Sequence, residues 1–291
     1  VPAGGTVFGR VNISSESDSL YEGAELFALK ASYTNNTAKN ASADVTLIDD
    51  GTGNIYPNGT GSLDSNAIKD DDRTVKVTSI DVNEKSPFAV FAVSGAAGQS
   101  VILAIQNNSD PAKANALPGT DTGTQLQVLD GSTWISYAPN SSATLPAGGQ
   151  LLVRVAIKDD TTFEGAENFQ LVATAAGGAS AYGNATILDD GTGTIYPNNN
   201  TGNPDSDAIK NDDRPLTVTA IGPVNEASTY AMFVVTAAAG QSLKLALGNT
   251  SSLLDVDATT TGFITEWSID GSNWTKDTVV PTAPTSGIVY V

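Results

Sequence analysis

Short runs in which apolar and polar side chains alternate recur along this chain, and they predict β-strands. The clearest run is "LLVRVAI" (151–157), in which every second residue is a large aliphatic one. Because successive side chains of a strand point to opposite faces of a sheet, this pattern indicates one buried face. The segments "PFAVFAV" (87–93), "ENFQLVA" (167–173) and "YGNATIL" (182–188) have the same short, strand-like character.

Turn-forming residues separate these runs. Clusters of Gly, Asn, Pro or Asp lie between them, and no segment keeps a helical period. Short strands that alternate with turns over about 130 residues are typical of an antiparallel sandwich. The pattern therefore predicts an all-β chain of tandem antiparallel sandwiches.

The chain contains internal copies. The motif "YEGAELF" (21–27) returns as "FEGAENF" (163–169), 142 residues later. Further pairs have nearly the same spacing: "LIDDGTGNIYPN" (47–58) with "ILDDGTGTIYPN" (187–198), "AIKDDDR" (67–73) with "AIKNDDR" (208–214), "GAAGQS" (95–100) with "AAAGQS" (237–242), "LDGSTW" (129–134) with "IDGSNW" (269–274), and "VPAGG" (1–5) with "LPAGG" (145–149). A fixed spacing of this kind is the signature of repeated structural units.

The repeats are cut out of phase, and this predicts the domain organisation. Val1 enters a repeat about halfway, and the last unit is expected to stop at Val291, just before its own "VPAGG", so the chain looks like a processed or excerpted piece. We expect five segments: the carboxy-terminal half of a repeat at 1–60, a joint at 61–73, a complete domain at 74–200, a joint at 201–215, and the amino-terminal half of a repeat at 216–291.

Neither half can close a core alone, because the inward face of each strand in a sandwich needs an opposing sheet. In one arrangement residues 1–60 pack on residues 215–291 of the same chain. In the other, each half is completed by an adjacent copy or by a continuation of the polypeptide, which makes head-to-tail polymers. We favour the second arrangement, in which buried strand pairing gives a very stable connection, as in donor-strand complementation.

The balance of charge narrows the choice of partners. The 291 residues carry 14 basic and 32 acidic side chains, a formal net charge of −18. Phosphates of nucleic acid or of anionic lipid would be repelled by this charge, whereas divalent cations would neutralise it. We therefore expect no nucleic-acid partner and no insertion into a membrane.

Two residue types are missing altogether. Without cysteine the chain can form neither disulfides nor thiolate metal sites, and without histidine it lacks the commonest zinc ligand and general base. Ser-His-Asp and Cys-His catalysis are excluded. We expect no enzymatic activity, since the paired acids Glu164 and Glu167 belong to a recurring metal-like cluster and not to a glycosidase pair.

Acidic residues of the complete domain fall at the ends of predicted strands. Strand ends that are distant in sequence can converge at one pole of a sandwich, and Ca²⁺ is bound by six to eight oxygens. The alternative is a set of ordinary solvated loop acids. Two features favour calcium: the acids recur in both copies, and Phe163 and Phe169 draw them towards the core margin. The candidate ligands are Glu84, Asp159, Asp160, Glu164, Glu167, Asp189 and Asp190.

These motifs carry a resemblance to a known family. The pair "NE" (83–84), the segment "DDTTFEGAENF" (159–169) and the late "ATILDDG" (185–191) resemble the Calx-beta domain. The resemblance implies a seven-stranded Ig-like sandwich with Greek-key connections and Ca²⁺ bound among loops at one end. It implies the same seven ligands, with the Thr162 carbonyl beside them. Gly191 stands where calcium-sensing members often have a third Asp, which implies fewer ions or weaker binding.

A second, split calcium site is expected if the two halves combine. The amino-terminal half has Ser17 where the complete domain has Asp159. The remaining acids predict a site that joins Glu226 of one half with Asp18, Glu22, Glu25, Asp49 and Asp50 of the other.

The joint is rich in Gly, Asn, Asp and Pro, a composition that also fits a flexible tether. Because "GTGxIYPN" and "AIKxDDR" occur in both copies, an ordered joint is the competing interpretation. In it Asp212 and Asp213, with their counterparts Asp71 and Asp72, reach a cation at the next domain's pole.

The favoured function is structural. We expect an extracellular, calcium-stiffened repeat of a bacterial surface adhesin or of a head-to-tail filament, with copies of itself as partners. The alternative is a ligand-binding module for glycans or ice. Trp134 and Trp274 could stack on sugar, although a packing role is favoured for such aromatics.

Overall fold

The computed structural model describes residues 5–57, 61–108, 112–249, 262–279 and 281–291, and in these ranges the chain is almost entirely β-structure. The first four residues of the "VPAGG" copy lie outside them. No helix in the described ranges has the length and apolar character needed to cross a membrane. The elements are a short 3-10 helix, Ser14–Glu16, and the strands β1 Glu25–Tyr33, β2 Asn36–Leu47, β3 Lys76–Val77, β4 Ile80–Asn83, β5 Phe88–Ser94, β6 Ser100–Asn107, β7 Ala114–Asn115, β8 Thr122–Asp130, β9 Thr133–Ser136, β10 Ser142–Thr144, β11 Gln150–Ile157, β12 Glu167–Ala175, β13 Ser180–Leu188, β14 Thr217–Ala220, β15 Phe233–Thr236, β16 Glu266–Trp267, β17 Thr275–Lys276 and β18 Ile288–Tyr290.

Strands β3 to β13 form a two-sheet sandwich, which confirms the predicted fold class. One sheet has the order β3-β5-β11-β8-β9, and the other has the order β10-β6-β12-β13-β4, with β7 beside β12. Most neighbours are antiparallel, while β4 pairs with β13, and β7 with β12, in parallel. The chain crosses between sheets from β5 to β6 and from β11 to β12, as in Greek-key sandwiches.

The core of this sandwich follows from the alternation in its strands. In β11 the side chains of Leu151, Val153 and Val155 are buried, and they face the buried side of the opposite sheet. Phe91 of β5 and Phe169 of β12 meet edge to face across the layers, with ring centroids 5.9 Å apart. Core residues and the apolar residues packed against them extend from Val75 to Tyr196.

The amino-terminal unit is a two-stranded hairpin of β1 and β2. Within the described part of the chain this hairpin pairs with no other strand. Almost every residue of it is exposed, including Leu29 and Val45. An isolated hairpin is marginally stable in water, so this element lacks the layer that would bury its apolar side.

The carboxy-terminal unit has a three-stranded sheet, a two-stranded sheet and a small core. Strands β14, β15 and β18 form a three-stranded sheet, and β16 pairs with β17. Its core consists of Val235, Ala237, Leu243, Ala283 and Val289.

The expectation that this last unit stops before its own "VPAGG" is wrong. The segment "APTSG" (283–287) makes the same turn as "LPAGG" (145–149): Gly287 N donates to Pro284 O, and Gly149 N to Pro146 O, both at 2.8 Å. Gly287 and Gly149 also have similar positive φ values, 70° and 68°. The sequence motif had diverged too far to be recognised, whereas the backbone hydrogen bonds are retained.

Candidate metal centre

The carboxylates of the central sandwich converge at one pole because β4, β11 and β13 end there and β12 begins there. Glu84 follows β4, Asp160 follows β11, Glu164 and Glu167 lie at the start of β12, and Asp189 follows β13. Oxygens of Glu84, Asp160 and Glu164 lie within 4.8 Å of one another. The structure therefore brings together acids that lie as far as 105 residues apart in sequence.

Glu84 is the most constrained member of this pole. Its side chain is 6% exposed, and its Oε2 atom has no hydrogen-bond partner. The Asp160 amide approaches Oε1 at 3.4 Å. Burial, together with the nearby charges of Asp160, Asp213 and Asp189, raises the pKa of Glu84 to about 7. A buried carboxylate that has one unpartnered oxygen and lies among like charges is an arrangement that a cation would stabilise.

A second group adjoins the first and contains an acid that the sequence reasoning missed. Oxygens of Asp121, Glu164 and Glu167 lie within 4.8 Å of one another. Asp121 is buried and accepts a 2.5 Å hydrogen bond from the Leu117 amide. Burial raises the pKa of Glu167 to about 7, and Asp121 and Glu164 add to the shift. Because Asp121 directly precedes β8, the same strand-end rule could have found it.

Asp189 organises the loop between β11 and β12. Its Oδ2 atom accepts hydrogen bonds from the amides of Glu164, at 2.8 Å, and Gly165, at 3.2 Å. This contact holds Glu164 where both acidic groups share it.

Asp159 contacts the joint instead. Its Oδ1 atom accepts a 2.9 Å bond from the side-chain amide of Asn211, which also donates to Asp213 at 2.7 Å. Burial, followed by the charges of Asp159 and Asp189, raises the pKa of Asp213. The joint thus brings an acid to the pole of the unit that precedes it in the chain, not to the next domain's pole.

Asp190 lies outside both groups. Its Oδ1 atom accepts hydrogen bonds from the amide and the hydroxyl of Thr192 in the turn of the joint. Asp190 and Asp212 also form an isolated β-bridge. Asp190 therefore stabilises the turn and the β-bridge of the joint.

The amino-terminal hairpin has a related but open pole. Oxygens of Glu16, Glu22 and Glu25 lie within 4.8 Å of one another, and all three residues are exposed. Asp49 accepts hydrogen bonds from the Glu22 and Gly23 amides, as Asp189 does from its own loop. The charge of Glu25 is the largest of the causes that raise the pKa of Glu22.

Three other predicted ligands remain apart from this group. Asp18 accepts a hydrogen bond from the Leu20 amide, and Asp50 accepts from Thr52. Glu226 is exposed in the carboxy-terminal unit, and none of the described carboxylate groups includes it.

Both joints are held by the same contacts. Arg73 pairs with Asp71, and Arg214 with Asp212, each at 2.7 Å. Gln99 and Gln241 each donate to the paired Asp at 3.3 Å. The described part of each joint is therefore anchored to the unit that follows it.

The second joint also packs along the central sandwich. Trp134 donates from its ring nitrogen to Asn199 O at 2.8 Å, and the guanidinium of Arg154 lies between the rings of Phe88 and Trp134. This packing fits the favoured interpretation of Trp134. Its counterpart Trp274 is 39% exposed.

Comparison with known proteins gives distant likenesses only. No family model matches the chain, and no curated protein matches it. Among solved structures, a tetra-tandem repeat from the extending region of a large adhesion protein is similar with a TM-score of 0.24 and 13% identity over 98% of this chain. This chain spans 50% of that one.

A second similar structure is the chaperone–tip adhesion subunit pre-assembly complex of archaic chaperone-usher Csu pili of Acinetobacter baumannii. Its TM-score is 0.25 at 9% identity, over 57% of this chain and 76% of that chain. At these scores neither likeness carries an argument about function.

Proposed function

We propose that this chain is a calcium-stiffened structural repeat of an extracellular bacterial surface adhesin or of a head-to-tail filament. The observation that carries the proposal is the buried Glu84 carboxylate: its Oε2 atom has no hydrogen-bond partner, and one of its oxygens lies within 4.8 Å of oxygens of Asp160 and Glu164. Acids from four strand ends and from one joint lie at this one pole of the central sandwich.

The chemistry of the donor set favours Ca²⁺. All candidate donors are carboxylate or carbonyl oxygens, which hard cations prefer, and the chain has neither histidine nor cysteine to favour zinc. Ca²⁺ accepts irregular sets of six to eight oxygens, whereas Mg²⁺ demands octahedral geometry. The carboxylates of Glu84, Asp160, Glu164, Glu167 and Asp121 would hold the ion, and its charge would offset their repulsion.

Stiffening follows from the position of Asp213. This residue belongs to the joint, yet its charge acts on Glu84 and it hydrogen-bonds with Asn211 at the pole. A cation at the pole would attract acids of the sandwich and of the joint together. The angle between consecutive units would then be fixed by the ion as well as by hydrogen bonds.

Calorimetric melting of the whole chain in calcium and in a chelator tests this proposal. A ligand that binds only the native state stabilises by about 2.7 kcal/mol when its free concentration is about 100 times Kd. We expect a clear rise of Tm in calcium and a smaller rise at equal Mg²⁺. Identical melting in calcium and chelator would contradict the proposal.

Glycan or ice binding is the second candidate, and Trp274 is the residue that favours it. This side chain is 39% exposed, while its counterpart Trp134 is packed against Arg154 and the joint. Glycan-array binding that is lost on Trp274→Ala would support the alternative. Absence of binding in the intact chain would leave the structural role.

A further inference from the structure

In the described part of the chain, no strand of the carboxy-terminal unit corresponds to β12 or β13 of the central unit. In the central unit β12 and β13 lie between β6 and β4. When the two copies of the repeat are aligned, residues 221–225 correspond to β4, and residues 242–249 correspond to β6. The counterparts of β12 and β13 are β1 and β2, at the other end of the chain.

The hairpin already has the register of the missing pair. Glu25 faces Leu47 and Phe27 faces Val45, as Glu167 faces Ile187 and Phe169 faces Ala185. The hairpin therefore needs no internal rearrangement to take the place of β12 and β13.

Apolar side chains are exposed on both complementary surfaces. Leu29 of the hairpin is 57% exposed, whereas its counterpart Leu171 is fully buried. Val224 of the carboxy-terminal unit is 52% exposed, whereas its counterpart Val82 is fully buried. Burial of such apolar side chains is favourable, so the two surfaces would gain free energy by meeting.

The described part of the amino-terminal half contains no counterpart of Asn83. In the central unit the Asn83 side chain donates to Thr192 O and Asn211 O and accepts from the Asn211 amide. The counterpart of Asn83 is Asn225, in the carboxy-terminal unit. At the amino-terminal pole Asp49 Oδ1 and Asp72 Oδ1 are buried without a hydrogen-bond partner.

In the described ranges, two further residues of this joint, Gly53 and Tyr56, have none of the contacts that their counterparts make with the central unit. Gly193 lies so close to β4 that a Cβ would come within 2.5 Å of Asn83 N, whereas its counterpart Gly53 has open space. Tyr196 packs against the core and its amide donates to Ser86 Oγ, whereas its counterpart Tyr56 is 61% exposed. Ser228, the counterpart of Ser86, makes the same local hydrogen bond, to Tyr230 O.

Within one chain, the hairpin and the carboxy-terminal unit are held at opposite ends of the central sandwich. The first joint is anchored by Gln99 at the start of β6, and the second joint meets Glu84 at the opposite end of the sandwich. An eight-residue strand such as β6 spans roughly 24 Å, so the central sandwich separates the two halves. Residues near Asp49 and near Gln241 are fixed to opposite poles.

We propose that the hairpin β1–β2 of one copy inserts between segments 221–225 and 243–247 of a second copy and completes its sandwich. The register follows from the central unit: Leu29 lies opposite Leu247, Ala31 opposite Leu245, and Leu47 beside Val224. The insertion brings Asn225 and Glu226 to the acids of the amino-terminal pole. This inference rests on the head-to-tail filament proposed above and names the segments that join it.

Cysteine cross-linking tests the register, because the natural chain has no cysteine. The central pair Thr174↔Ile102 places Ser32 opposite Lys244, and both of these residues are exposed. Chains with Ser32→Cys mixed with chains with Lys244→Cys should form intermolecular disulfides about five times faster than the off-register mixture of Lys30→Cys and Lys244→Cys. Equal rates would overturn the proposal.

The double variant in one chain separates the two possible partners. Ser32→Cys combined with Lys244→Cys should give a ladder of multimers on a non-reducing gel. A monomer that carries an internal disulfide, at protein concentrations where the mixture cross-links, would overturn insertion between copies.

A charge placed on the inserted face gives an independent measurement. Leu29→Asp should weaken self-association by about 100-fold or more, since an unpaired carboxylate would be buried, while Ser32→Asp on the outer face should leave it nearly unchanged. Circular dichroism checks that the central sandwich is folded in both variants. Equal association of the two variants would overturn the proposal.

Repeating the cross-linking in chelator distinguishes this inference from the calcium proposal. Register-specific disulfides without any effect of calcium on melting would retain the hairpin and reject the ion. Calcium-dependent melting without register-specific disulfides would retain the calcium site and reject hairpin insertion.

Discussion

Glu84 shows how one residue can report a bound ion. In the absence of a cation its carboxylate is buried among like charges, which is why its pKa is raised to about 7. Glutamine keeps the shape of the side chain and removes the charge. The same substitution should therefore act in opposite directions with and without calcium.

We expect Glu84→Gln to melt at a higher temperature than the natural protein in chelator, because no buried charge remains. In calcium it should melt at a lower temperature, because a ligand is missing. Asp130→Asn, at an exposed residue, serves as the control. It should change the free energy of unfolding by no more than about 0.5 kcal/mol in either buffer. Scanning calorimetry in both buffers measures the effect, and a variant that is less stable in both would argue against ion binding at Glu84.

The pH dependence of the metal-free protein follows from Glu84 and Glu167. Each has a folded pKa of about 7, above its ordinary value of 4.5. Between these two values the folded state holds protons that the unfolded state has released, so stability falls as pH rises. In chelator, Tm should therefore decrease from pH 5 to pH 8.

Calcium should reverse this trend, since protons and Ca²⁺ compete for the same oxygens. The stabilisation by calcium should be largest near pH 8 and small near pH 5. Melting curves over this range, with and without calcium, measure both slopes. A metal-free Tm that rises towards pH 8 would show that other groups dominate.

At the scale of elements, β4 and the second joint depend on a close backbone approach. A Cβ on Gly193 would lie 2.5 Å from Asn83 N and from the Val82 carbonyl carbon, and φ at this residue is +84°. Gly53 has nearly the same φ, +79°, in open space. Substitutions at Gly193 and Gly53 therefore distinguish the two effects: Gly193 combines a steric contact with a positive φ, whereas Gly53 has the positive φ alone.

Gly193→Ala should cost about 3 kcal/mol or more, because both effects act, whereas Gly53→Ala should cost about 1–2 kcal/mol from φ alone. Urea unfolding under conditions without assembly measures both values. If hairpin insertion is correct, Gly53→Ala should also impair assembly, since segment 221–225 of the next copy would then meet this position. Equal costs in the dispersed protein would mean that the joint does not press on β4.

Strand-scale features were the easiest to predict from the sequence. The alternation in residues 151–157 corresponds to β11, and the run at 182–188 lies within β13. Asp121 was missed because it precedes a strand whose start has no strong alternation. The sequence could not predict which pole Asp213 lies at either. Its position depends on Asn211, whose side chain hydrogen-bonds to both Asp159 and Asp213.

At the scale of the whole molecule, two joints with matching contacts connect three units. Arg73 and Arg214 make the same kind of ion pair, and a Cβ on Gly51 or Gly191 would lie 2.9 or 3.0 Å from the paired Asp. Hairpin insertion would add counterparts of β12 and β13 to the carboxy-terminal unit at every junction between copies. A polymer would then repeat one sandwich and one joint along its whole length.

Assembly of such a polymer must overcome the repulsion between chains that each carry a net charge of −18. Raising NaCl from about 10 to 150 mM shortens the Debye length from about 30 to 8 Å and should therefore speed association. Calcium that binds at the poles should act at millimolar concentration, well below the ionic strength at which NaCl has the same effect.

Light scattering at matched ionic strength in NaCl, MgCl₂ and CaCl₂ separates screening from binding at a site. If hairpin insertion is correct, we expect calcium to be the most effective, because the amino-terminal pole would gather Glu22, Glu25 and Asp49 of one copy with Glu226 of the next. Glu226→Gln should reduce this advantage and leave the NaCl response unchanged, while Asp130→Asn should alter neither. If the three salts act alike at equal ionic strength, the junction between copies is governed by screening and holds no ion.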